Sequence, residues 1–285
     1  MSAMELRMNG DITGEINFFS HTIDGCAPWS DATPTLGSVA TNFARTPARV
    51  TIYDLRGKEN TLDLDINGLE VHKYHGHIYD IFDDNSEIQQ CYYEEIVNVL
   101  KNRLGASRVI VFNHIIRYRG APRPANQCDP THKNPVFYPH VDNDPPAAYF
   151  KLKEILGEEE AKTVMQKHFQ IINVWRPLGP NPIINIPLTI CDYQSLDPNN
   201  DLHSVKVRGS QSSISVYTVS SNIQNAQKWY YLSQMRSDEM FMFKIFDTNP
   251  NVAQFGAHTA FINEYVPLTD IEQCSIEVRC LVLYD

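Results

Sequence analysis

Two histidines and one aspartate have the types and the order that a metal site needs. His140 and Asp142 are separated by a single residue, and His258 follows much later in the chain. Side chains one residue apart on an extended segment point to the same side, so an imidazole and a carboxylate can face one ion. A second, distant imidazole can complete a 2-His-1-carboxylate facial triad, the ligand set of non-haem Fe(II) oxygenases. The pattern therefore predicts His140, Asp142 and His258 as metal ligands and as the catalytic centre.

Each of these residues also has an ordinary structural interpretation. His140 follows Pro139 and could be a histidine whose ring is bonded within a turn. Asp142 could cap a helix that begins near Pro145. His258 alone could be a core or edge-strand histidine. A short motif of this kind becomes a firm hypothesis only in the right structural context, so the surrounding elements decide between the two interpretations.

Most of the surrounding elements are predicted to be short strands. Arg49 to Asp54 and the apolar, β-branched run Arg108 to Arg117 are the first two. Seven more follow in quick succession, at residues 170–177, 187–194, 213–220, 228–234, 240–246, 257–263 and 275–284. Apolar residues at helical spacing predict two helices, from Ser86 to Leu104 and from Pro145 to His168.

This order of elements predicts a mainly β fold with flanking helices, namely a double-stranded β-helix (jelly roll, cupin-like). Side-by-side strands of such a fold can bring an early and a late ligand motif together. We expect residues 1–285 to form a single domain, because all-β barrels of this length are commonly one domain. Within it, residues 1–47 are predicted to be an arm with loops, and residues 108–285 the β-helix core.

Composition narrows the class of partner. The formal net charge of −10 argues against nucleic acid or an anionic membrane surface as the main partner, since both require excess Lys and Arg. A small-molecule substrate is therefore expected, while the sequence leaves the oligomeric state open. No apolar stretch is long enough to span a membrane, the chain starts with polar residues, and the 6 cysteines include no Cys-x-x-Cys pair. These features predict free thiols and a cytoplasmic location.

Eight short blocks, taken in their order, resemble a known family. They read IYDLRG at 52–57, VFNH at 111–114, PHVD at 139–142, NVWRP at 173–177, WYY at 229–231, FKIFD at 243–247, HTAF at 258–261 and SIEVR at 275–279. The chain resembles a mostly fungal family of hydroxylases and desaturases that includes the gibberellin desaturase and relatives of the cephalosporin methoxylase component. The resemblance extends from about residue 35 to the C-terminus.

The resemblance implies an Fe(II) and 2-oxoglutarate-dependent dioxygenase of secondary metabolism, with O2 as the oxidant. Its iron ligands would be His140, Asp142 and His258. In such enzymes an Fe(IV)-oxo species abstracts hydrogen from carbon, so the substrate would be hydroxylated, desaturated or oxidatively cyclised. Two alternatives are an iron-dependent oxidase that does not use 2-oxoglutarate and a non-catalytic small-molecule-binding β-barrel.

The distal carboxylate of 2-oxoglutarate needs a fixed cation, and arginine supplies a bidentate fork for it. Many relatives in this superfamily carry an Arg-x-Ser triplet at the start of the last strand, where this chain has Gln273, Cys274 and Ser275. Arg279 lies four residues after Ser275 on the same strand face, so it is the first candidate for cosubstrate binding, together with Ser275. Arg176 is the second candidate. Either arginine could instead form a buried ion pair that stabilises the barrel.

Overall fold

The computed structural model describes residues 10–32, 39–80, 87–119, 132–209, 214–222, 226–267, 271 and 273–285. Within this part of the chain, β-strands far outnumber helices, as the sequence predicts. The strands are β1 (Ile12–Thr22), β2 (Trp29–Asp31), β3 (Phe43–Asp54), β4 (Leu69–Lys73), β5 (Arg108–Tyr118), β6 (His132–Lys133), β7 (His140–Val141), β8 (Phe169–Leu178), β9 (Leu188–Cys191), β10 (Leu202–Arg208), β11 (Ile214–Val219), β12 (Trp229–Tyr231), β13 (Glu239–Asp247), β14 (His258–Ala260) and β15 (Cys274–Leu283). The α-helices are α1 (Leu64–Asn67), α2 (Glu87–Leu104), α3 (Pro145–Leu156) and α4 (Glu158–Val164), and short 3-10 turns occur at Glu59–Thr61 and Tyr193–Ser195.

The strands form two sheets. Sheet A has 9 strands in the order β1-β3-β12-β9-β14-β7-β11-β10-β2, and sheet B has 6 strands in the order β4-β13-β8-β15-β5-β6. Ile190 and Trp229 of sheet A share one hydrophobic core with Trp175 and Phe243 of sheet B. Two sheets packed over a common core are the architecture of a jelly roll, so the predicted mainly β, jelly-roll fold is confirmed.

Helix α2 covers the outer face of sheet B. Its residues Tyr92, Ile96 and Leu100 recur at helical spacing and are fully buried. They belong to a second core with alternate residues of the central strands, Val174 of β8 and Val278 of β15 among them. Since successive strand residues point to opposite faces, the residues between these point into the barrel. This alternation decides which polar side chains of sheet B can reach an interior site.

The second predicted helix is in fact two helices. The chain breaks at Gly157, where φ is +79°, a conformation that glycine adopts without the steric cost of a Cβ. Helix α3 is capped by Asp144, whose side chain accepts a hydrogen bond of 3.0 Å from the backbone N–H of Ala147. The capping role that Asp142 could have had therefore belongs to Asp144.

The N-terminal region differs from the predicted arm with loops. β1 pairs with β3 in an antiparallel ribbon at one edge of sheet A, and β3 begins at Phe43, before the strand predicted from Arg49. β3 also pairs with β12, so this region is continuous with the rest of the sheet. The expected start of α2 at Ser86 lies outside the described residues; the observed helix runs from Glu87 to Leu104.

Candidate active site

The three predicted metal ligands lie together on neighbouring strands of sheet A. His140 begins β7, Asp142 follows its end, and His258 begins β14. His140 and His258 are directly opposite each other in the antiparallel pair, with ring centroids 4.4 Å apart. One ligand atom from each of the three residues lies within 4.8 Å of the others. A single ion can therefore contact all three side chains.

Backbone carbonyls fix the orientation of both imidazoles. Nδ1 of His140 is 3.0 Å from the carbonyl oxygen of Tyr138, and Nδ1 of His258 is 3.2 Å from that of Gly256. A carbonyl can only accept, so each Nδ1 carries the proton and each Nε2 keeps a lone pair. Hydrogen bonds of this kind to the second ring nitrogen are typical of histidines that bind metals.

The protonation states also suit a cation. Burial, together with the neighbouring His140, lowers the pKa of His258 to about 4, so this ring is neutral at pH 7. Burial alone would raise the pKa of Asp142, but the positive charge of Arg279 and the neighbouring His140 and His258 together outweigh it and hold that pKa well below its usual range. Two imidazoles and one carboxylate form a donor set that fits Fe(II).

The predicted cosubstrate residue Arg279 lies beside the aspartate. Its Nη2 is 3.1 Å from Oδ2 of Asp142 and 3.0 Å from Oε1 of Glu277. Nδ2 of Asn173 donates to the same Oδ2 of Asp142 at 2.8 Å. Arg279 therefore contacts a candidate metal ligand, and it does not line the cavity described next.

A cavity opens beside the two histidines. Its walls include His140, His258, Arg117, Arg119, Trp175 and Glu277. These residues come from both sheets, since β7 and β14 belong to sheet A and β5, β8 and β15 to sheet B. Two arginines in the wall of a cavity that is also lined by two candidate metal ligands suit a small ligand with a negative charge.

Arg119, which the sequence did not single out, is the most deeply buried of these cations. It is 2% exposed, its Nε donates to Oγ of Ser275 at 2.8 Å, and its Nη1 donates to the carbonyl oxygen of Ile186. Its guanidinium stacks over Trp175, 4.8 Å from the ring centroid. Within the described part of the chain no carboxylate forms an ion pair with it, and burial lowers its pKa to about 9.

Trp175 supplies a second donor at the cavity. The side chain is 1% exposed, and its Nε1 makes no hydrogen bond to any described residue. A buried N–H without an acceptor is costly, so it is a natural position for an acceptor on a ligand. Aromatic residues in strands are more often plain core, and the buried Nε1 of Trp229 also lacks a partner among the described residues. Trp175 differs from Trp229 because it lines the cavity.

Arg176, the second predicted cosubstrate residue, points to the opposite face of sheet B. Its Nε donates to the hydroxyl of Tyr92 at 3.0 Å and its Nη1 to the carbonyl oxygen of Ser237 at 2.9 Å. The guanidinium lies 4.0 Å from the ring centroid of Tyr74. The structure therefore places Arg176 between sheet B and helix α2, away from the cavity walls.

Gln273, which stands where many relatives have arginine, is held by hydrogen bonds to a neighbouring loop. Its Oε1 accepts hydrogen bonds from the backbone N–H groups of Ile184 and Asn185, at 2.8 and 3.2 Å. Its Nε2 donates to Oδ1 of Asn185 at 2.6 Å. This glutamine fixes a neighbouring loop, and the adjacent Ser275 is the member of the triplet that faces the cavity arginine.

Comparison with known proteins identifies the family. A family model described as "Oxidoreductase/YMDC permease-like domain" matches residues 16–283. The hydroxylase/desaturase efuI of Hormonema carpetanum is 30% identical over 95% of this chain and 94% of its own length. The Fe(II)/2-oxoglutarate-dependent dioxygenase nvfI of Aspergillus novofumigatus is 29% identical, and the alignment covers 88% of each chain. This chain belongs to that family of Fe(II)/2-oxoglutarate-dependent dioxygenases.

A solved structure supports the same conclusion for the dioxygenase. The solved structure of the iron and alpha-ketoglutarate-dependent endoperoxidase NvfI matches this chain with a TM-score of 0.81 and 26% sequence identity, over 96% of this chain and 98% of the NvfI chain. The predicted fold, the family resemblance and the cofactors Fe(II), 2-oxoglutarate and O2 are thereby confirmed. No helix in the described residues is both long and apolar enough to cross a membrane.

Proposed function

We propose that the dioxygenase binds Fe(II) through His140, Asp142 and His258 and oxidises a C–H bond of a small secondary metabolite. The observation that carries the proposal is the convergence of two Nε2 lone pairs and one carboxylate at the end of a cavity. Bound iron supplies the activation of O2. Hydrogen abstraction from carbon is the step that hydroxylation, desaturation and cyclisation share, so the proposal covers all three outcomes.

In this proposal Arg119 holds the distal carboxylate of 2-oxoglutarate. It is buried, it lacks a carboxylate partner among the described residues, and it lines the same cavity as His140 and His258. The bond from its Nε to Ser275 fixes the direction of the guanidinium fork. Since an arginine fork binds a carboxylate through two donors, a carboxylate is the group that best complements it.

Trp175 and Ser275 assist this binding. Nε1 of Trp175 is positioned to donate to an oxygen of the cosubstrate, which would satisfy the buried N–H. Ser275 keeps the cosubstrate-binding role that was predicted for it, but acts through Arg119. The alternative of an oxidase that does not use 2-oxoglutarate was based on the absence of arginine at Gln273. Arg119 supplies that cation from another part of the chain, so this reason for the alternative no longer holds.

The proposal also includes a single domain over residues 1–285 and a cytoplasmic location. The shared core of sheets A and B supports the first. Free cysteines at Cys26, Cys91, Cys191 and Cys280 support the second, because a reducing compartment keeps thiols free.

Anaerobic titration tests the metal and cosubstrate sites together. Addition of 2-oxoglutarate to the Fe(II)-loaded protein should produce the weak visible charge-transfer band of a chelated cosubstrate. The band should be lost in His140→Ala and kept in His21→Ala, a control at an exposed histidine of β1. Turnover with a substrate should form succinate. A band of full intensity in His140→Ala would refute the ligand assignment.

A further inference from the structure

The two oxygens of Asp142 have different neighbours. Oδ1 lies 3.6 Å from Nε2 of His140, on the side of the candidate metal position. Oδ2 accepts from Nδ2 of Asn173 at 2.8 Å and contacts Nη2 of Arg279 at 3.1 Å. A carboxylate oxygen has two lone pairs, so these two donors occupy Oδ2 and leave Oδ1 for a metal.

Both donors are fixed by the register of sheet B. Asn173 of β8 and Arg279 of β15 are directly paired, and both point into the barrel. Asn173 is fully buried. The positions of these two donors therefore depend on two central strands, and donors on strands can hold a ligand more precisely than donors on loops.

Glu277 in turn fixes Arg279. Its Oε1 lies 3.0 Å from the same Nη2 that contacts Asp142, and the side chain of Glu277 is 3% exposed. The arginine thus bridges two carboxylates. Glu277 balances the positive charge of Arg279, which alone would repel a metal cation. What the pair contributes to the site is therefore mainly orientation.

We propose that Arg279, oriented by Glu277, is a positioning residue that holds Asp142 with only Oδ1 directed at the metal. A carboxylate can bind an ion through one oxygen or two. With Oδ2 held by Arg279 and Asn173, Asp142 occupies one coordination position, and the remaining ones stay open for 2-oxoglutarate and O2. This inference rests on the proposed function, and it gives Arg279 a role different from the predicted cosubstrate anchor.

A charge-conserving double variant separates orientation from charge. Arg279→Met with Glu277→Gln removes one positive and one negative charge, so the net charge around the metal is unchanged. Removing both partners of the Arg279–Glu277 pair leaves neither of them as an unpaired buried charge, and Asn173 still donates to Asp142, so the fold should be kept. Circular dichroism and the melting temperature check this before any binding measurement.

The measurements are Co(II) affinity by anaerobic calorimetry and the affinities of the Fe(II)-loaded protein for 2-oxoglutarate and for pyruvate. Pyruvate has the chelating head of 2-oxoglutarate without its distal carboxylate. The double variant should bind Co(II) about 10- to 100-fold more weakly, as is typical when a residue that orients a ligand is lost. Its preference for 2-oxoglutarate over pyruvate should not change, because a positioning residue does not touch the distal carboxylate.

Three results would overturn the proposal. One is wild-type Co(II) affinity in the double variant, and another is a loss of preference for 2-oxoglutarate over pyruvate, which would make Arg279 the anchor. The third concerns Asn173→Ala, which removes the other donor to Oδ2 with no change of charge and should weaken Co(II) binding in the same direction. Unchanged affinity in that variant would contradict the argument even if the double variant did not fold. If the wild-type protein itself bound no metal, the proposed function would fail first.

Discussion

Replacement of Arg119 by Gln should remove the selectivity for 2-oxoglutarate while leaving metal binding intact. Gln keeps a polar side chain near Ser275 and lacks the charged fork. Arg119 makes no contact with the three candidate metal ligands, and its hydrogen bonds go to Ser275 and Ile186. The effect should therefore appear in the affinity for the cosubstrate and not in the affinity for the ion.

The size of the effect follows from what the fork would bind. A hydrogen bond to a charged group contributes about 1.5–3 kcal/mol, and about 1.4 kcal/mol corresponds to a tenfold change in affinity. Loss of the fork should therefore weaken 2-oxoglutarate binding about 10- to 100-fold. Pyruvate has no distal carboxylate, so its affinity should change little, and the ratio of the two affinities isolates the contribution of Arg119.

The charge-transfer band of the Fe(II)-loaded protein, titrated anaerobically with each 2-oxo acid, measures this ratio. Ser275→Ala is the matched control: it keeps the charge and removes only the acceptor for Nε of Arg119, so its effect on the ratio should be smaller. A wild-type ratio in Arg119→Gln would refute the assignment. So would an equal loss for both ligands, because it would indicate damage to the metal site.

Three further predictions concern other buried groups. Trp175→Phe keeps an aromatic ring and removes the orphaned Nε1, so 2-oxoglutarate affinity, measured by the same titration, should fall by a factor of about 2–10. Arg176→Ala should leave that affinity unchanged and lower the melting temperature, since it removes a buried hydrogen bond to Tyr92 of α2 and another to the carbonyl oxygen of Ser237. For Glu239, burial opposes ionisation, but hydrogen bonds from Arg56, Lys73 and the backbone of Arg236, together with the charge of Arg56, outweigh it and lower the pKa to about 2. Because this pKa lies below the unfolded value, the ionised Glu239 stabilises the fold above about pH 4.5, and this stabilisation is lost as pH falls toward 2. In urea titrations Glu239→Gln should lower the free energy of unfolding by at most about 3 kcal/mol at pH 7 and should make its decrease at acidic pH less steep.

The grouping of the three candidate metal ligands could be predicted from the sequence because it depends on local features. His140 and Asp142 share a side of one short extended segment, and the pattern of strands around His258 predicted a jelly roll that could return it to the pair. The alternative interpretation of Asp142 as a helix cap was wrong for an equally local reason, because Asp144 is the residue that caps α3. The N-terminal strand β1 was missed because its pairing with β3 is a tertiary contact that weak periodicity does not reveal.

The placement of the arginines was harder to predict from the sequence, because strand alternation gives a side chain's face and not its depth. Ser275 and Arg279 do share the inward face of β15, as expected. Arg279, however, lies level with Asn173 and contacts Asp142, whereas Ser275 lies farther along the strand, where it meets Arg119. Four residues along a strand correspond to about 13 Å, so the two side chains reach different parts of the barrel interior.

The same geometry explains how a chain without arginine at Gln273 can keep a cation at that level of the barrel. β5 and β15 are antiparallel neighbours, and the backbone N–H of Arg119 donates to the carbonyl oxygen of Gln273 at 2.7 Å. A side chain that starts from Arg119 therefore begins one strand spacing from a side chain at Gln273, and it can reach the same part of the cavity. Glutamine at the vacated position then has room to fix Asn185 and the loop before β9. The cation that we propose for cosubstrate binding therefore depends on which strands are neighbours, and it can come from the partner strand's side instead of from the motif itself.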